Sequence, residues 1–89
     1  MNTIKYNGTE IENNEKVVEA VVDNLIVNII KQDSNTYIAN LAENNYDSII
    51  EYDSYILDEY EIEMMHDRES CYEFLVEFFN QYCCSYGVM

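Results

Sequence analysis

The sequence predicts a small α+β domain, with a short antiparallel sheet packed by two to three helices, and three observations carry that expectation. First, Leu25 to Ile30 reads Leu-Ile-Val-Asn-Ile-Ile, and Thr36 to Leu41 alternates loosely with Tyr37, Ala39 and Leu41 on one side; the polar cluster Gln32-Asp33-Ser34-Asn35 lies between them. Two β-rich runs around a polar turn predict a hairpin over about 25–42. Second, the C-terminal region carries a helix signature. Ser70 and Glu73 have capping-box spacing, Asp67 and Glu69 suit a positive helix end, and Cys71, Leu75, Phe78, Phe79 and Tyr82 form one apolar stripe, predicting a helix over about 68–84. Third, the chain has 89 residues, no Pro and only Gly8 and Gly87, so nothing in its composition divides it and residues 1–89 are expected to form one domain.

The remaining elements follow in order. Ile4 and Tyr6 alternate before the turn dipeptide Asn7-Gly8, and Thr9 and Ile11 after it, which suggests a short strand or hairpin. Asn13 or Asn14 can cap a helix, and Val18, Val21, Val22 and Leu25 then recur at helical spacing, predicting a helix over about 14–24. Extending that helix to Ile30 is the rival reading, and an all-α fold is the corresponding alternative. Tyr46, Ile49, Ile50, Ile56, Leu57, Tyr60 and Met64 lie on one helical stripe with Asp47, Glu51 and Asp58 opposite, predicting a helix over about 45–57. Asp53 interrupts the stripe, and residues 58–64 alternate strictly, so an edge strand there stays open.

Charge is the strongest functional signal. The chain carries 18 acids against 4 bases, a formal net charge of −14. Residues 1–42 hold six acids and three Lys, a net of −3, whereas residues 43–89 hold twelve acids and Arg68, a net of −11. Helix-supporting ion pairs cannot be the main use of acids that have no bases beside them, and a surface built only for solubility mixes both signs. With 48% hydrophobic residues and nine Tyr, the chain is no disordered acidic tail.

Chemistry at a catalytic centre finds little support. His66 is the only histidine, with no nucleophile placed near it by a recognisable motif. A phosphate-handling site would need more than Lys5, Lys16, Lys31 and Arg68. Cys71, Cys83 and Cys84 are odd in number and lack zinc-ligand spacing, and no segment has the alternating oxygen ligands and glycine of a calcium loop. No catalytic residue, cofactor or metal is therefore expected. The absence of an apolar run of membrane-spanning length, and of an apolar signal-peptide stretch over residues 1–10, leads to an expectation of a cytoplasmic protein. Anionic membranes and bare nucleic acid would repel it.

A binding surface is what remains. Glu69, Glu73 and Glu77 repeat every four residues, which on a helix spaces their Cβ atoms by about 5–6 Å. Such a row resembles a strand of phosphates in sign and roughly in spacing, and carboxylates accept from Lys and Arg as phosphates do. With Asp47, Glu51, Asp58, Glu59, Glu61 and Glu63, these residues form the candidate partner-binding set. Tyr52, Tyr55, Tyr72 and Tyr86 fall partly off the core stripes and suit an interface.

The run Asn24-Leu-Ile-Val-Asn-Ile-Ile30 with Asn35-Thr-Tyr-Ile38, the acidic stretch Glu43 to Glu51, and a Tyr/Phe/Glu-rich final helix together resemble small acidic anti-CRISPR proteins of phages and mobile elements. The similarity is to type II-A Cas9 inhibitors of the DNA-mimic kind, and is one of size, charge and element order over roughly residues 14–82. The resemblance implies a non-enzymatic inhibitor in the host cytoplasm whose acids between 43 and 77 meet Lys and Arg of a basic DNA- or RNA-binding protein such as a Cas effector. The segment Thr3 to Ile11 followed by a helix also looks slightly like barstar-type antidotes, which block a basic nuclease. An acidic homodimeric interaction module is the further alternative.

Overall fold

The structure, a computed structural model, describes the backbone of residues 2–45 and 48–86 and the side chains of residues 3–44, 54 and 56–81. Five strands, β1 (Asn2–Tyr6), β2 (Glu15–Val22), β3 (Leu25–Asp33), β4 (Thr36–Asn45) and β5 (Ser48–Ile56), precede two helices, α1 (Glu59–Met64) and α2 (Arg68–Tyr86). The strands form one antiparallel sheet in the order β1-β2-β3-β4-β5, each paired with its sequence neighbours. This is an α+β architecture of two layers, sheet and helices.

The hairpin expected over 25–42 is present as β3 and β4, joined through Ser34-Asn35 and registered by Val27↔Leu41 and Ile29↔Ala39. Asp33 Oδ1 accepts from Asn35 N at 2.8 Å and helps close the turn. The helix expected over 68–84 is also present, as α2, but its cap differs from the Ser70–Glu73 box. Asp67 performs that role. Its carbonyl accepts from Cys71 N at 2.9 Å, and its carboxylate accepts from Glu69 N and from the Ser70 hydroxyl.

Two expected helices are strands. Residues 14–24 are occupied by β2 rather than a helix, and residues 45–57 largely by β5. The cause is the same in both. Between Lys16 and Val18 the β2–β3 register shifts, so Val17 and Val18 together oppose Ile29, and both are fully buried. One inserted residue breaks the alternation of a strand and leaves apolar positions 17, 18, 21, 22 and 25 at helix-like spacing. In β5 a second shift lies opposite Leu41 and Ala42, which pair with Asp53 and Glu51, and it disguises that strand similarly. With the alternation hidden, β-branched content was the better guide, because Val and Ile fit a pleated surface. The β2–β3 connection is a two-residue turn, Asp23-Asn24, in which Asp23 takes φ +55, a conformation that Asp tolerates.

Two smaller expectations also change. Residues 58–64 do not form an edge strand: Asp58 caps α1, accepting from Glu61 N at 2.8 Å while Glu61 Oε1 accepts from Asp58 N at 3.0 Å. The N-terminal segment is a strand only before Asn7, and β1 pairs with β2 rather than with residues 9–11. Gly8, with φ +84, lets the chain leave β1 sharply. Because a strand and not a helix follows this segment, the barstar-like element order is absent.

One face of the sheet carries the core. Ile4, Tyr6, Val18, Ala20, Leu25, Val27, Ile29, Tyr37, Ala39 and Leu41 meet Leu57, Met65, Cys71, Phe74, Leu75, Phe78 and Phe79. Phe74 and Phe78 stack tilted at 5.8 Å, and Phe78 meets Phe79 edge-on at 6.4 Å. Polar clamps fix the helical layer and the long loop. Tyr6 donates to Met65 O at 2.6 Å, Thr9 Oγ1 meets His66 Nδ1 at 2.8 Å, and Lys31 Nζ donates to Thr9 O and Ile11 O at 2.9 and 3.2 Å. Among the described residues no helix is long and apolar enough to cross a membrane.

Candidate partner-binding face

The anionic face is built by α1 and α2. Residues 58–77 contain eight acids against Arg68, a net of −7, and all lie in the layer that covers one side of the sheet. The helices hold their acids outward for a simple reason. The positions facing the sheet are taken by Met65, Cys71, Phe74, Leu75, Phe78 and Phe79, so the polar positions between them meet solvent.

Three groupings of the candidate acids result. Along the outer side of α2, Glu69, Glu73 and Glu77 are all exposed and rise along the helix over about 12 Å. Between α1 and α2 a cleft of about 260 Å³ is bordered by Asp58, Glu61 and Glu77 together with Tyr60, Phe74 and Phe78. Glu77 belongs to both, and so joins the α2 row to the acids of α1. Glu59 and Glu63 occupy the other side of α1, in a second cleft with Ser34, Asn35, Ile62 and His66. Asp58 and Glu61 also hold the capping box, so part of their hydrogen-bonding capacity serves the fold. Asp47 lies outside the described residues, and Glu51 is placed in β5, paired in register with Ala42, with its side chain outside the described set.

The sequence pointed less clearly to the apolar and aromatic surface among these acids. Tyr60 is 72% and Val76 59% exposed, and Tyr72 and Val76 form a shallow depression with Glu73 and Glu77. Their signal was positional: Tyr72 and Val76 are four apart and lie off the buried stripe of α2. Asp67, absent from the candidate set, adds a carboxylate at the start of the same helix.

Three of the four described bases have partners other than the acids of the row. Arg68 donates from Nε and Nη2 to the Tyr72 hydroxyl at 3.1 and 2.9 Å, with its guanidinium 5.3 Å from that ring's centroid. Lys31 serves the loop carbonyls, and Lys16 pairs with Glu19 at 2.7 Å on β2. Glu69, Glu73 and Glu77 are thus presented beside half-buried Tyr72 and exposed Val76.

The titrating groups that shift lie under this face. Burial pushes the Cys71 thiol up to about 11, so it stays protonated, in line with its place as a free, fully buried thiol whose Sγ lies 3.9 Å from Met65 Sδ. Tyr6 is raised by burial first, then by the neighbouring Cys71, Asp67 and Tyr37, and Tyr37 is raised by burial. Cys83 and Cys84 have side chains outside the described set. Among the described residues no group of three or more His, Cys, Asp or Glu side chains is arranged to hold a metal. No family model, curated protein or solved structure matches the chain.

Proposed function

We propose that this protein is a non-enzymatic inhibitor, of the anti-CRISPR kind, whose helical face stands in for DNA in the cationic groove of a CRISPR effector. The observation that carries the reading is the −7 segment 58–77, folded as one helical layer in which the exposed row Glu69–Glu73–Glu77 is flanked by Tyr72 and Val76. A groove that holds nucleic acid presents Lys and Arg to phosphates, and carboxylates accept the same hydrogen bonds. Exposed Tyr60 offers a rigid ring to Arg side chains or to surfaces on which bases stack, and half-buried Tyr72 adds contact area beside the row. The opposed fields also speed encounter.

The test is displacement. Titrated into Cas9-type effectors loaded with guide RNA and labelled target DNA, the protein should release or exclude DNA, and its apparent affinity should fall steeply as salt rises. DNA occupancy that stays unchanged across a panel of such effectors, at protein concentrations well above the effector's, contradicts the proposal. Displacement from a basic nuclease alone would assign the same face to the antidote alternative.

A further inference from the structure

Among the described residues, none packs as a layer over the side of the sheet away from the helices. Val21, Ile26, Ile30, Ile38 and Ile56 project there; the first four are half-buried by their neighbours, and Ile56 is 67% exposed. They fall into two apolar groups, Val21↔Ile26 with Ala42 on β2–β4 and Ile30↔Ile38↔Ile56 on β3–β5, on either side of a polar row that runs Lys5↔Glu19↔Asn28↔Asn40↔Ser54. Between them sit Asn28 and Asn40, paired across β3 and β4, and Asn28 Oδ1 is shut away from solvent without a hydrogen-bond donor.

We propose that this open face is a homodimer interface, in which two copies pack sheet to sheet with their helical layers outward. Charge selects a second copy as the occupant. The described charged residues registered on this face are Lys5, Lys16, Glu19 and Asp33, a net of zero in a chain of net −14. The helical side, a net of −7 over residues 58–77, repels its like; this side is close to neutral. Sheets pack about 10 Å apart, and a helix layer adds about 10 Å on each side. The two acidic faces would therefore lie about 30 Å apart, beyond a Debye length of about 8 Å at physiological salt.

Size agrees with this choice. Five strands spaced about 4.8 Å apart, with about eight residues at 3.3 Å each, give a face of roughly 500–600 Å² in projection. Accessible area exceeds projected area, so each copy approaches the roughly 800 Å² of an ordinary specific interface, at its smaller, weaker end. A two-fold arrangement also brings the amide groups of a second Asn28–Asn40 pair to the centre, where a reoriented Asn28 gains a donor. The inference does not depend on the identity of any inhibited enzyme.

Sedimentation velocity of the intact protein from about 1 μM to about 1 mM, the span in which a small interface dissociates, is the direct test. The wild type should pass from monomer to dimer within that span, and on dilution the backbone amide resonances of β2, β3 and β4 should move while those of α2 hold still. Ile26→Thr/Ile38→Thr keeps β-branched strand formers and should weaken dimerisation by at least about tenfold with an unchanged circular dichroism spectrum. Glu73→Gln/Glu77→Gln, on the opposite layer, should dimerise as the wild type does. A wild type that stays monomeric at the highest concentration overturns the proposal, as does a dimer whose dilution shifts map to α2.

Discussion

The helical layer and the open sheet face are the two solvent-facing sides of one thin protein, and they are built on opposite terms. The helical side exposes eight acids with one base over residues 58–77, and its bulk apolar residues are turned inward. The sheet side carries half-buried Val21, Ile26, Ile30 and Ile38 and exposed Ile56, with almost balanced charge. A surface serving only solubility would mix charges on both sides. The segregation is what the two proposed contacts would need: a charged side that a basic groove would accept, and an apolar side that only desolvation would favour.

The shared core links the two sides, and breaking it should erase the contrast altogether. Phe78 is 4% exposed and touches both Phe74 and Phe79. Phe78→Ala should lower stability by about 3–5 kcal/mol, enough to leave so small a domain partly unfolded; urea denaturation followed by far-ultraviolet circular dichroism reads it. A midpoint close to that of the wild type would mean that α2 is not seated on the sheet as described.

Charge reversal breaks only one side. Glu69→Lys/Glu73→Lys/Glu77→Lys should reduce binding to a cationic nucleic-acid-binding target by about 100-fold or more, while each change shifts stability by only about 0.5 kcal/mol because these side chains are exposed. Calorimetric titration at two salt concentrations measures the first, and thermal melting the second.

Alkaline pH probes the buried junction between the layers. The Cys71 thiol titrates near 9.0 when free and near 11 in the fold, so its neutral form is favoured by folding. A group raised in this way contributes its full stability below about 9, and that contribution is lost as pH climbs towards about 11. Tyr6, raised from 10.0, acts in the same direction at higher pH. Urea midpoints should therefore fall between pH 9 and 11, and Cys71→Val should flatten the first part of that fall.

The smallest effect sharpens the assignment of individual acids. Asp58 caps α1 and also borders the inter-helix cleft. Asp58→Ala should cost about 1 kcal/mol of stability, seen by urea denaturation, whereas Glu73→Ala should leave stability nearly unchanged. Equal effects would mean that the capping box does not act as the geometry shows.

How far the sequence revealed this arrangement depended on local regularity. The β3–β4 hairpin was readable because its alternation survives from Leu25 to Ile30 and from Thr36 to Leu41, with the register shift confined to the polar turn end at Lys31–Asp33. The helix α2 was readable because Cys71, Leu75, Phe78 and Phe79 keep one period, although Asp67 rather than Ser70 caps it. In β2 and β5, inserted residues changed which face each side chain takes, and a strand with one extra residue imitates a helix in its apolar spacing. The acidic row on α2 could be read from spacing alone. That α1 would add its acids to the same layer, and that the opposite face of the sheet would be left open, could not, because both depend on β5 being a strand.

The most direct test of the central claim sets the two sides against each other in one displacement assay on a DNA-loaded Cas effector. The account predicts that Glu69→Lys/Glu73→Lys/Glu77→Lys no longer displaces DNA, while Ile26→Thr/Ile38→Thr displaces it as well as the wild type does on a per-chain basis. Full displacement by the charge-reversed protein, with loss in the open-face variant, would contradict it.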